Sequence, residues 1–187
     1  MDDPDAPDEE LARLAARGDR RALEQLLQRH ADRIHRICAR ILGSGDDALD
    51  ATQEAMIAVA RGVRRFDGRS AFTTWLHRVA TNAALDEARR RSRRPVPAET
   101  LADPPGAAPL DDAIVDRLGI DAALSRLPED FRVAVVLRDV CDLDYHTIGA
   151  VLGIPPGTVR SRIARGRTAL AALLGNPMTL EARPTER

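Results

Sequence analysis

The chain has 187 residues, 44% of them hydrophobic and only 3% aromatic, with a formal net charge of −1 at pH 7. That size holds one medium or two small folded cores, and few β-branched runs point to an all-α fold. No apolar stretch approaches a membrane span, the acidic opening MDDPDAPDEE is unlike a signal peptide, and two distant cysteines make no disulfide framework, so a cytoplasmic protein is expected.

Along the chain the charge is segregated. Residues 1–10 carry six acids and no base, and residues 97–116 five acids and no base. Residues 61–94 between them hold ten arginines and His77 against three acids, a basic surface suited to a polyanion that the net charge conceals. Every one of the 28 basic residues is Arg. GC-rich coding explains that as well as selection for forked donors does, so it carries no functional weight.

Asp8 is placed to cap a short helix ending before Gly18, and Asp19 to cap a longer one running to Gly43. Ser44 or Asp46 opens a third helix, ending near Arg65. With Leu49 at zero and about 100° per residue, Leu49, Met56, Val59, Ala60 and Val63 form its buried stripe. Asp47, Asp50, Glu54 and Ala58 lie on the other side, with Gln53 and Ile57 beside them. Such an acidic ridge next to an apolar residue suits docking of a basic protein. An ordinary solvated helix with acids near its N-terminus explains the same pattern, and on helix physics alone it is the better explanation.

Gly68 interrupts the chain, and Ser70 starts a fourth helix that runs into the cluster Arg89–Arg94. Three of the chain's five aromatics, Phe66, Phe72 and Trp75, fall in this basic stretch, a combination suited to single-stranded nucleic acid. Phe72 and Trp75 at i, i+3 fit a core face better than a stacking platform, with Leu76, Val79, Ala80 and Ala83 beside them. Arg78, Asn82 and Arg89 make a separate stripe. The polar loop Asp67-Gly68-Arg69-Ser70 is the better candidate to hold a base, because Gly68 permits unusual backbone angles.

Residues 95–109, PVPAETLADPPGAAP, have five prolines and read as an extended linker. An amphipathic segment (110–126) follows, then a helix with Pro128 in its first turn, and a polar tail closes the chain. Between these, YHTIGAVLGIPPGTVRSRIARGRTALAALL (145–174) has the form of a helix-turn-helix, whose second helix enters a DNA major groove. Val159, Ile163, Leu170, Leu173 and Leu174 gather on one face, with Ser161, Ala164, Arg165 and Thr168 opposite. Arg160 and Arg167 flank one side and Arg162 the other. Arg165 is placed to reach a guanine edge, and the flanking arginines suit phosphates. An amphipathic helix with solvated arginines is the plainer alternative. The preceding turn, and the absence of acids from Thr158 to Leu174, count against it.

These segments together resemble the σ70-family initiation factors of bacterial RNA polymerase, specifically the extracytoplasmic-function (ECF) group. DALDATQEAMIAVARGV (47–63) is similar to the family's core-binding helix, and FDGRSAFTTWLHRVATNAALDEARR (66–90) to its F-x-G-x-S-x-F-x-T-W-L stretch. LPEDFRVAVVLRDV (127–140) with YHTIGAVLGIPPGTVRSRIARGR (145–167) is similar to its region 4. The resemblance implies two small helical domains on a tether: an acidic N-terminal segment (1–17), region 2 (18–94), a linker (95–109), region 4 (110–175) and a tail (176–187).

It also implies roles. Asp47, Asp50, Gln53 and Glu54 would face the clamp helices of the polymerase's largest subunit, reversing the solvated-helix preference. Region 4 would lie at the polymerase flap. Asp67, Gly68, Arg69, Ser70 and Phe72, with Arg78, Asn82, Arg89, Arg90 and the rest of the arginine cluster, would bind and help melt the −10 element. Arg160, Ser161 and Arg165 would contact the −35 element, with Thr158, Arg162 and Arg167 on or near phosphates. The acidic linker would thread toward the RNA exit channel. A non-catalytic subunit held down by an anti-σ partner, with no cofactor, follows from the resemblance alone. Ala164, His146 and Gly149 depart from the usual residues, which leaves the promoter sequence open.

Two other classes remain at this point. A stand-alone helix-turn-helix regulator would need a dimerisation helix, and none is evident. A metal or redox protein would rest on His30, His35 and Cys38, but no further ligand pair has zinc-like spacing.

Overall fold

The computed structural model describes residues 6–43, 45–93 and 112–175, and of residues 112–118 the backbone only. Arg94, the linker and the tail lie outside the described residues. Every regular element among the described residues is helical, as expected.

The central element is α2 (Arg20–Leu42). The Asp19 carboxylate accepts from the Arg21 and Ala22 amides at 2.9 and 3.1 Å, and Gly43 ends the helix with φ of 91°, a left-handed conformation that glycine adopts without strain. One stripe of α2, including Leu26, Ile34, Ile37, Cys38 and Ile41, is buried. Against it pack α1 (Asp8–Ala16), α3 (Asp46–Gly62) and α4 (Phe72–Arg93). A 3-10 turn, Val63–Arg65, ends α3, and the loop to α4 covers residues 66–71.

Several local expectations shift. Asp8 is the first residue of α1 rather than its cap, a place taken by Pro7. Helix α4 begins at Phe72, two residues beyond Ser70. On α3 the buried stripe is Ala48, Ala51, Ala55 and Val59, whereas Leu49 is 58% exposed. The buried faces of both α3 and α4 are rich in alanine, with Ala80 and Ala84 fully buried on α4, and Leu49 lies one position out of phase with that face of α3.

The second helical group comprises α5 (Asp112–Ser125), α6 (Glu129–Val135) with a π turn at Val136–Val140, α7 (Tyr145–Leu152) and α8 (Pro156–Leu173). Pro128 precedes α6 as its cap, and Asp144 caps α7 by accepting from the Thr147 amide at 2.8 Å. Gly153, at φ 67°, makes the left-handed turn between α7 and α8. Val159 and Ile163 of α8 are buried, Leu170 and Leu173 are half-buried, and Leu174, expected on the same face, lies beyond the helix and is exposed. This group docks on α2 through α5, α6 and the π turn, and Arg40 of α2 pairs with Asp121 of α5 at 3.3 Å.

Gly166 is buried where α8 crosses α6. A Cβ there would lie 2.6 Å from Val135 Cγ2 and 3.2 Å from the Phe131 carbonyl oxygen. Valine at this position forces the helices apart, so Gly166→Val is expected to destabilise this group by about 1–3 kcal/mol, read by chemical denaturation.

His77 of α4 is buried, and neither ring nitrogen has a hydrogen-bond partner among the described residues. Burial, reinforced by the charges of Arg33 and His30, depresses its pKa from 6.5 to about 4. The unfolded chain therefore binds a proton that the folded one refuses between those values. Stability from this group is full above pH 6.5 and declines as pH falls toward 4, by about 3 kcal/mol in all. Denaturation midpoints at about pH 7.5 and about pH 5 should differ less in His77→Met than in the unaltered chain, by about 2 kcal/mol in free energy.

Candidate nucleic-acid interface and acidic ridge

The expected site residues fall on three separate surfaces. On α3, Asp50, Gln53 and Glu54 are exposed side by side, one and two turns of helix from exposed Asp46. Asp47 is different. It is half-buried and pairs with Arg91 of α4 at 3.6 Å, while Arg91 also donates to the Leu42 carbonyl at 3.1 Å. Asp47 therefore ties α3 to the ends of α2 and α4. Exposed Leu49, missed in the sequence, stands in the same first turns of α3. The Ala48-Ala51-Ala55-Val59 spacing was the signal for this phase, but Leu49 outweighed it on hydrophobicity.

The loop after the 3-10 turn is built on rings. Phe66 and Phe72, at its two ends, meet edge-on with centroids 5.7 Å apart, and Trp75 lies 5.6 Å from each. Trp75 closes over Gly62, where a Cβ would come within 3.0 Å of its ring. Phe72 is fully buried, so its expected place among the DNA-binding residues is corrected. It supports the loop from beneath, because the aromatic cluster takes its whole surface. Asp67, Gly68 and Arg69 are exposed and Ser70 half-exposed. Asp67 accepts from the Arg69 amide at 3.1 Å, Arg69 Nε pairs with Asp67 at 3.1 Å, and Gly68 has φ of 72°. Arg78, Asn82, Arg89 and Arg90 are exposed along α4, with Arg89 paired to Asp86 and Arg90 to buried Glu87, each at 2.9 Å.

On α8 the face opposite the core is open: Ser161, Ala164, Arg165 and Thr168 are all exposed. The hydroxyls of Ser161 and Thr168 donate to their own helix, to the Thr158 and Ala164 carbonyls. Arg165 has no acidic partner among the described residues. Arg162 pairs with Asp130 at 2.7 Å, and Arg167 forms a two-point pair with Asp139 that raises its pKa further. Both flanking arginines are thus anchored to the α6 segment beneath, which fixes α8 in orientation. Arg160 lies over the Tyr145 ring at 5.6 Å, with Arg138 also within cation–π reach at 5.3 Å, a pair of contacts with no sequence signature. Thr158 is half-buried at the start of α8.

The residues weighed as metal ligands are dispersed. His30 pairs with Asp8, His35 Nδ1 lies 3.2 Å from Thr52 Oγ1, and Cys38 is buried with its thiol toward the Ala80 carbonyl. Burial pushes the Cys38 thiol up to about 11 and Cys141 to about 12, which removes nucleophilic thiolate at neutral pH. Among the described residues no helix is long and apolar enough to cross a membrane.

The Sigma-70 region 2 family model matches residues 26–94, and the Sigma-70 region 4 model matches residues 117–170. The ECF RNA polymerase sigma factor SigE of Mycolicibacterium smegmatis is 44% identical over 166 residues, 83% of this chain and 63% of that protein, so the chain spans under two thirds of SigE. SigM of Mycobacterium tuberculosis, also an ECF RNA polymerase sigma factor, is 37% identical over 177 residues, 90% of this chain and 85% of SigM. The solved structure of CnrH in complex with the cytosolic domain of CnrY is similar with a TM-score of 0.66 at 27% identity, covering 90% of this chain and 97% of that one.

Proposed function

The chain belongs to the σ70 family, in its extracytoplasmic-function group, and on that premise we propose that it divides promoter recognition and polymerase binding among the three surfaces above. It is a promoter-recognising subunit that adds specificity to core RNA polymerase and leaves nucleotide chemistry to the polymerase. The observation that carries this reading is the α8 face: Arg165 stands exposed amid small residues while its neighbours Arg162 and Arg167 are braced by Asp130 and Asp139. A braced helix presenting the guanidinium of Arg165, which has no acidic partner among the described residues, is suited to a bidentate contact to a guanine edge in the −35 element. Arg160 and Thr158 flank that face for phosphate contacts.

The Asp67–Ser70 loop, with Arg78, Asn82, Arg89 and Arg90 along α4, takes the −10 element. Unstacking a base requires about a few kcal/mol, and base contacts made by this loop would offset that without ATP. The ridge of Asp50, Gln53 and Glu54, with exposed Leu49, docks on the clamp helices of the largest subunit, its charge steering encounter. Region 4 sits at the flap. The proposed domain limits are those read from the sequence, with α1 packed on α2 beside region 2. CnrH, similar along almost its whole length, is in complex with the cytosolic domain of CnrY. An anti-σ partner for this chain, acting in the cytoplasm, follows by the same likeness.

Run-off transcription with core polymerase over a genomic promoter library tests the reading, and promoter-specific transcripts are expected. Copurification with core separates it from a stand-alone regulator, which would show none. Arg165→Ala should weaken −35 recognition by about 1–3 kcal/mol, measured on promoter fragments, and leave core binding intact. Asp50→Arg should do the opposite, and equal defects of either variant in both assays would refute the division of labour.

A further inference from the structure

Helix α1 lies outside the matched region 2 segment, which begins at residue 26. It buries only Leu11, Ala12 and Ala15, a small apolar face for a nine-residue helix. Its N-terminal end is held by polar groups instead. Asp8 does not cap its own helix but reaches across to α2, where one carboxylate oxygen accepts from Arg29 at 2.7 Å and the other lies 2.7 Å from His30 Nε2. A carboxylate only accepts, so Nε2 carries the proton in this pair. Arg29 also donates to the Ala6 carbonyl at 2.8 Å, fastening the chain two residues ahead of the helix.

The same imidazole touches the loop's foundation. The His30 ring lies 5.6 Å from Phe72, the buried ring that meets Phe66 edge-on across the base of the Asp67–Ala71 loop. Helix α1 itself packs on the 3-10 turn Val63–Arg65, immediately before Phe66, and on α4. Both ends of the loop are therefore set from one side: the entry through the turn on α1, the exit through Phe72 on His30. Rings can slide against one another at little energetic cost. A charge-assisted hydrogen bond has a short, directional minimum and can fix the stack in register.

We propose that Asp8 and His30 are positioning residues for the strand-capture loop, holding Phe72, and through it Phe66 and Gly68, in the geometry that accepts a flipped base. This rests on the reading of that loop as the −10 capture site. Neither residue touches DNA in this scheme; both act through the aromatic cluster.

The test uses the full chain bound to core polymerase and a single-stranded DNA oligonucleotide carrying a random hexamer, with bound molecules sequenced. The unaltered protein should enrich a restricted set of hexamers. Asp8→Ala removes both charged contacts of the carboxylate, to Arg29 and to His30, and should reduce that enrichment by at least about tenfold, with core affinity unchanged. Asp8→Asn keeps an oxygen acceptor for His30 and should recover part of the enrichment. It also serves where Asp8→Ala does not fold. Ile41→Val, in the core about 16 Å along α2 from His30, controls for stability alone and should keep the full enrichment at a comparable loss in Tm. Unchanged enrichment in Asp8→Ala overturns the proposal, as does an equal loss in Ile41→Val. If the unaltered protein enriches no hexamer, the base-capture reading itself fails and takes the proposal with it.

Discussion

Helix α2 has to bury one long apolar stripe, and the other elements find their places by covering it. Leu26, Ile34, Ile37 and Ile41 lie on that stripe, and α1, α3 and α4 close over it while α5 and α6 reach it from the second group. Burying a side chain of this size is worth about 1.5–3 kcal/mol. A 23-residue helix with such a stripe is therefore a stronger organiser than any single polar contact on the surface. The proposed functional surfaces are what remains outward once this burial is satisfied. The ridge of α3 and Arg78, Arg89 and Arg90 of α4 are left exposed once the alanine faces of those helices are buried.

Small residues decide how closely those helices approach. Ala48, Ala51 and Ala55 on α3 and Ala80 and Ala84 on α4 are fully buried, and Gly166 performs the same service between α8 and α6. Close approach in turn exposes residues that a looser packing would have covered. Leu49 stands outside the alanine face of α3, and the carboxylates around it gain an apolar neighbour. Trp75 over Gly62 is a second consequence, since the indole settles where a side chain is missing.

Polar groups then set orientation rather than bulk stability. Exposed ion pairs contribute about 0–1 kcal/mol each, so Arg162–Asp130 and Arg167–Asp139 matter chiefly for holding α8 at a defined angle over α6. Asp47–Arg91 joins three helix ends in the same way. The buried and partnerless His77 works against stability in acid, and its place in the core has no compensating contact among the described residues.

The sequence by itself determined the helices, the turn at Gly153, the Asp19 cap and the family motifs, because these depend on neighbours within a few residues. It also placed Asp50, Glu54, Arg165 and the Asp67–Ser70 loop on exposed surfaces correctly. Only the tertiary structure decided which residue of two adjacent phases is buried, as with Leu49 against Ala48, since periodicity of about 100° per residue tolerates a one-residue shift when both stripes are apolar. It likewise decided that Phe72 lies beneath the loop instead of on it, that Arg162 and Arg167 are braced by distant aspartates, and that Asp8 crosses to His30 instead of capping its helix. Each of these joins residues more than twenty positions apart or depends on how closely two helices pack, and no local pattern in a chain encodes that distance.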